Sequence, residues 1–188
     1  MTAALERTID AFGSHRVIEP AGALPQNAWK LDNTPVAYEN EILCEVETLC
    51  IDSASFKQIS DSCCGDSRRI GEHIRKNIAE RGKQHNRVTG SGGMFIGTVR
   101  EIGEQLASKI DLRPGDRIAS LVSLTLTPLW LEEITDVSSD GHVGLRGKAV
   151  LFESGIWAKL PADIATDVAL ATLDVAGAPA QVQRMTSA

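Results

Sequence analysis

No C-x-x-C pair, no H-E-x-x-H, no complete glycine fingerprint and no run of eighteen apolar residues occurs in these 188 residues. Each absence excludes something. The four cysteines (Cys44, Cys50, Cys63, Cys64) have no zinc or redox spacing, and neighbours such as Cys63 and Cys64 rarely share one metal or one bridge. Reduced thiols in a cytoplasmic protein are the expectation. The histidines (His15, His73, His85, His142) are scattered, so no metal site is expected. Without a long apolar run no membrane helix is expected. "MTAALERTID" carries acids and has no apolar core, so it does not read as a signal peptide. Basic residues are outnumbered: the net charge is −6, which argues against nucleic acid as a partner.

The nucleotide motifs fail at identifiable positions. "VTGSGGMFIGTVREIG", 88–103, holds Gly90, Gly92, Gly93, Gly97 and Gly103. Counted from Gly90, the third glycine of G-x-G-x-x-G falls on Phe95. Gly92 and Gly97 have the spacing of a phosphate loop, but Thr98 stands where its lysine belongs. "FIGTVREI" is rich in β-branched residues and predicts a strand, so no helix N-terminus follows to receive a phosphate.

What is present is a folded chain with 43% hydrophobic and 23% charged residues, long enough for one good core. Residues 1–40 read as loop-rich, punctuated by Pro20, Pro25 and Pro35. "EILCEVETLCI", 41–51, alternates and predicts a strand. "DSASFKQI" then breaks it with short polar residues. Ile70, Ile74 and Ile78 recur every four residues in "DSRRIGEHIRKNIAERG". They predict a helix capped by Asp66 or Ser67 and ended by Gly82, its apolar stripe serving packing. Residues 95–103 predict a strand, "LRPGDRIASLVS" a turn into another, and "TPLWLEEITDV" and "GKAVLFESGIWAKLP" further short strands. From Asp163 the chain is alanine-rich and predicted helical. The expected fold is mainly β with inserted helices.

Several segments are more specific than periodicity. "GTVREIG" followed by "LRPGDRIA" resembles medium-chain dehydrogenases/reductases, and "WAKLPADIATDVALATLDVAGAPAQ" resembles that family's exit from its catalytic domain. "GSHRVIEP", "LCIDSASF", "VTGSGGM", "LFESGIWAKLP" and "LDVAGAPAQ" together resemble the L-erythro-3,5-diaminohexanoate dehydrogenases, over about Gly13 to Met185. The resemblance implies a GroES-like, partly open β-barrel over 1–162 and, over 163–188, the helical start of a Rossmann domain that is not included. It also departs from the zinc-dependent relatives. Ile51 or Asp52 stands where they place a cysteine, and Gly92-Gly93-Met94 where they place Gly-His-Glu.

The implied reaction is NAD-linked oxidative deamination of 3,5-diaminohexanoate at C3, a step of lysine fermentation, giving 5-amino-3-oxohexanoate. The cofactor site would lie mostly outside this chain, the full-length protein would be a homodimer, and this chain alone would be inactive. A substrate with two ammonium groups and one carboxylate asks for acids facing the amines and a cation or N–H groups facing the acid. Position implies Asp52 and Asp174 as the catalytic acids, each with a capping role as the alternative. Ser53, Ser55, Gly93, Met94 and Glu153 are the implied substrate-lining residues. Small residues at the glycine stretch would let a ligand approach the backbone. Lys57 and Arg87 are weaker candidates for the substrate carboxylate. Two other readings fit the segments: another zinc-independent medium-chain reductase with a neutral substrate, or a non-catalytic GroES-like binding module.

Overall fold

The computed structural model describes residues 9–88, 90–175, 183, 185 and 186. Two short strands, β1 (Val17–Glu19) and β2 (Lys30–Leu31), pair as an antiparallel ribbon over the loop-rich first segment. The main sheet contains β3 (Glu41–Cys50), β4 (Met94–Ile102), β5 (Arg117–Ser120), β6 (Leu129–Val137), β7 (His142–Phe152) and β8 (Trp157–Lys159). Its order is β6-β7-β3-β4-β5-β8, every neighbouring pair is antiparallel, and the sheet does not close into a barrel. It is accompanied by helices α1 (Ser53–Ser62), α2 (Ser67–Arg81), α3 (Glu104–Ala107) and α4 (Thr166–Leu170), the last running into a π-helical turn at Ala171–Val175. No helix among the described residues is long and apolar enough to cross a membrane.

The central strand carries the decisive irregularity. Ile42, Cys44 and Val46 face the main core, and so do Leu49 and Ile51, which have the opposite parity. The register of β3 with both β4 and β7 shifts between Val46 and Thr48. A bulge there turns the following residues over, since side chains otherwise alternate with period two. Cys50 is thereby delivered to the other face, where it packs with Met94, Ile96, Ala119, Ala169 and Leu170. That second cluster is what seats α4 on the sheet.

Helix α2 forms as its isoleucine spacing predicts. Asp66 caps it, accepting the Arg69 N–H at 2.9 Å, and Gly82 ends it with φ of 68°. Ile70, Ile74 and Ile78 are buried against the main core, with Ile134 and Val137 of β6 beside them. The hairpin β6–β7 is longer than the expected short strands, nine and eleven residues. Gly144 and Gly147 interrupt its apolar pattern in the sequence, but continuous pairing with β3 and β6 carries β7 through them.

One ion cluster is wholly enclosed. Arg16 donates from Nε to Glu41 Oε1 at 2.9 Å and from Nη2 to Oε2 at 2.6 Å, while His15 Nε2 lies 2.8 Å from Oε1. The guanidinium also donates to the carbonyls of Thr34 and Val36. Burial alone would raise the Glu41 carboxyl; the hydrogen bonds from His15 and Arg16 outweigh it and hold the group below its ordinary value. The cluster fastens the first segment to the start of β3.

Cys44, Cys50 and Cys63 are buried and Cys64 is exposed. Burial pushes the Cys44 thiol up to about 12. Cys64 occupies the turn between α1 and α2 with φ of 56°.

Candidate active site

The candidate site forms where β3 ends. Ile51 still donates its N–H to the Gly141 carbonyl at 3.0 Å. Asp52 then takes an extended backbone and becomes the N-cap of α1, with Oδ1 accepting the Ser55 N–H at 2.9 Å. The break expected after residue 51 is therefore one residue long. The chain turns straight into a helix because the cap satisfies an orphan donor and Phe56 and Ile59 bury one face. Asp52 is half-buried, and its second oxygen, Oδ2, is buried with no hydrogen-bond partner among the described residues. The capping role and an available acid thus coexist in one side chain. Ser53 is exposed, Ser55 is fully buried, and Lys57 is an exposed partner of Asp61 at 3.0 Å.

Gly93 and Met94 lie beside this corner, Met94 pairing directly with Cys50. At Gly93 the structure gives glycine a reason within the chain itself. A Cβ at this residue would stand 1.9 Å from the Cys50 carbonyl oxygen and 2.9 Å from the Asp52 nitrogen, and φ is +91°. The chain itself occupies the space, so glycine is required to bring β4 against the Cys50–Asp52 corner. Met94 is buried in the second cluster with Cys50, Ile96 and Leu170.

The segment carrying Asp174 approaches the same corner. Leu173 packs with Ala169 and Leu170 on the cluster that contains Cys50 and Met94. The backbone of Asp174 belongs to the turn Ala171–Val175, and its side chain lies outside the described residues. Glu153 is not brought to this corner. It follows β7 at the end where Phe152 pairs with Glu41, and its carboxylate meets Lys109 at 2.9 Å. Glu41 and Cys50 are opposite ends of β3, roughly 30 Å apart.

Arg87 stacks on Trp29, its guanidinium carbon 4.1 Å from the ring centroid. It lines a groove of about 450 Å³ with His73, Lys76, Gln84 and His85, on the far part of α1 and along α2. Burial, together with Arg81, Lys83 and Arg87, pushes the His85 imidazole down to about 4, so that ring is neutral at ordinary pH.

Two residues at the corner escape a reading by sequence. His142 starts β7 directly opposite Cys50. Its Nδ1 stands 3.3 Å from Asp140 Oδ2. The "SSDGH" turn signal contains them both, and no spacing rule connects that turn to residue 52. Among the described residues, no group of three or more His, Cys, Asp and Glu side chains is placed to hold a metal ion.

The family model described as the L-erythro-3,5-diaminohexanoate dehydrogenase N-terminal domain matches residues 15–161. The chain belongs to this family. Curated relatives named L-erythro-3,5-diaminohexanoate dehydrogenase agree with it. That of Acetoanaerobium sticklandii is 55% identical over 175 residues, covering 93% of this chain and 51% of the relative. That of Fusobacterium nucleatum subsp. nucleatum is 54% identical, with the same coverage. The chain therefore spans about half the length of the relatives it matches. Among solved structures, the CurK enoyl reductase aligns with a TM-score of 0.41 at 15% identity, covering 89% of this chain and 38% of that one. Galactitol-1-phosphate dehydrogenase from Escherichia coli aligns with a TM-score of 0.35 at 16% identity, covering 70% and 34%. Asp52, Gly93, Met94 and His142 all fall inside the matched family domain.

Proposed function

We propose that this chain forms the substrate-side portion of a cytoplasmic, NAD-dependent oxidoreductase that deaminates 3,5-diaminohexanoate at C3 to 5-amino-3-oxohexanoate, within lysine fermentation. The full-length protein is proposed to act as a homodimer. The observation that carries the reading is the Asp52 carboxylate. One oxygen is fixed by the α1 cap, and the other is buried with no hydrogen-bond partner among the described residues. A buried acceptor without a partner is costly, and a substrate ammonium group would relieve it. Asp174, on the segment packed against Cys50 and Met94, is the proposed second acid. Ser53 and Ser55 lie in the first turn of α1 beside Asp52.

A bound nicotinamide cofactor would supply the hydride acceptor for C3. Its pyrophosphate finds no suitable loop among the described residues: the stretch at Gly90–Gly93 feeds strand β4 rather than a helix N-terminus. The residues of this chain are accordingly assigned to the diamino acid alone. The test is steady-state NADH formation by protein expressed from its whole reading frame, with 3,5-diaminohexanoate compared against a neutral enone. Turnover of the enone and none of the diamino acid would replace this reading with that of a reductase.

A further inference from the structure

We propose that His142 is the base that removes the proton from the substrate's C3 ammonium group, held for this by Asp140. The inference rests on the functional reading above and adds a residue to it.

An ammonium nitrogen has no lone pair. It must lose a proton before hydride departure from the adjacent carbon can be supported. The step is a simple transfer: the N–H bond of R–NH₃⁺ breaks, its electron pair stays on nitrogen, and the proton bonds to the imidazole, giving R–NH₂ and a protonated ring. Asp52, with Oδ1 held by the Ser55 N–H, is assigned the part of the fixed negative charge that pairs with an ammonium group, which leaves proton removal to a second residue.

His142 has the placement. Cys50 pairs with Met94 on one side and with His142 on the other, so the three side chains share one face of the sheet. This is the face on which α4 and the following turn pack, through Cys50 and Met94. Asp52 lies only two residues beyond Cys50, about 7 Å further along the chain direction. An acid and an imidazole therefore stand at one corner, while the substrate presents two amines, on C3 and C5.

The ring is also held. His142 follows Gly141, whose carbonyl accepts the Ile51 N–H at 3.0 Å and whose φ is +93°. A Cβ at Gly141 would come within 2.9 Å of the Ile51 carbonyl oxygen, so the turn is fitted tightly to the Asp52 corner. Asp140 in turn accepts from the Ser138 hydroxyl at 2.5 Å and from the His142 N–H at 3.3 Å. The Ser138 hydrogen bond, the His142 N–H and the His142 ring hold that carboxyl below its usual range against desolvation, so it remains an anion beside Nδ1. The Asp140 carboxylate 3.3 Å from Nδ1 favours a proton on that nitrogen, which leaves Nε2 as the acceptor. The His142 side chain is 27% exposed, open enough to be reached.

The experiment uses protein expressed from its whole reading frame. His142→Gln removes the basic nitrogen and keeps a polar side chain. Its kcat/KM for 3,5-diaminohexanoate should fall about a hundredfold or more, with an unchanged melting temperature. Free imidazole should restore part of the rate of His142→Ala, which a histidine with a structural role alone would not permit. Independently of turnover, the His142 ring resonance should shift when the diamino acid is added without cofactor, and not when hexanoate is added. A wild-type protein that does not oxidise the diamino acid overturns the functional reading and this inference together. A wild type that turns over while His142→Gln stays within about threefold overturns the inference alone. If His142→Gln lowers the melting temperature, imidazole decides, and absence of rescue in His142→Ala overturns it.

Discussion

Asp52 Oδ1 accepts the backbone N–H of Ser55 at 2.9 Å, and this single bond separates two properties of the same carboxylate. Asp52→Asn keeps a capping oxygen and loses the charge. It should cost under about 1 kcal/mol of stability yet lower kcat/KM for the diamino acid about a hundredfold. Asp52→Ala should lose the cap as well, about 1 kcal/mol further. Denaturant melts alongside initial rates make the distinction. Equal rates for wild type and Asp52→Asn would assign the residue to capping alone.

Two glycines of one loop should respond very unequally to the same change. At Gly93 an alanine meets the Cys50 carbonyl at 1.9 Å with φ at +91°. Gly93→Ala should therefore fail to fold or lose several kcal/mol. At Gly90 φ is +69° but nothing lies within 4 Å. Gly90→Ala should cost only the backbone preference, about 1 kcal/mol. Comparable melting temperatures for the two variants would contradict the close approach of β4 to Asp52.

Glu41→Gln should be among the most damaging polar substitutions in the chain. It leaves Arg16 and His15 enclosed with a neutral partner. Breaking a buried pair from one side costs about 3–5 kcal/mol. The acid limb follows from the same contact. The folded Glu41 carboxyl lies below its ordinary value of 4.5, so its contribution is complete above that pH and disappears as pH falls through the folded value. Urea midpoints followed into the acid range should drop more steeply for the wild type than for Glu41→Gln.

Glu153→Gln should leave rate and stability almost untouched. The carboxylate's contact is a surface pair with Lys109, at the end of β7 remote from Asp52. Exposed pairs contribute about 0–1 kcal/mol. A loss of activity without a loss of stability would return Glu153 to the site.

Much of the fold is legible in the sequence, and the reasons are local. The short alternation around Val46 marks β3, and α2 announces itself through Ile70, Ile74, Ile78, Asp66 and Gly82, because helix and strand periods act within a few residues. Helix α1 is hidden: between Asp52 and Ser62 only Phe56 and Ile59 mark an apolar face, and the serines and aspartates around them favour turns in isolation. The site is legible only in part. Asp52 is a candidate by its place after a strand. Its neighbours depend on sheet order and on the bulge between Val46 and Thr48, which decides that Cys50 and not Leu49 shares a face with Met94 and His142. Nothing in the linear order of residues 50, 94 and 142 discloses that adjacency.

The uneven exposure of the thiols makes the chain self-addressing for a spectroscopic reporter. Cys44, Cys50 and Cys63 are shielded, and Cys64 alone is open, at the junction of α1 and α2. A maleimide fluorophore should attach there without any engineered cysteine or removal of a native one. Attached one helix away from Asp52, it would convert occupancy of the acid's corner into an optical signal. Binding of a diamino acid could then be followed in the unmutated protein, with neither cofactor nor turnover required.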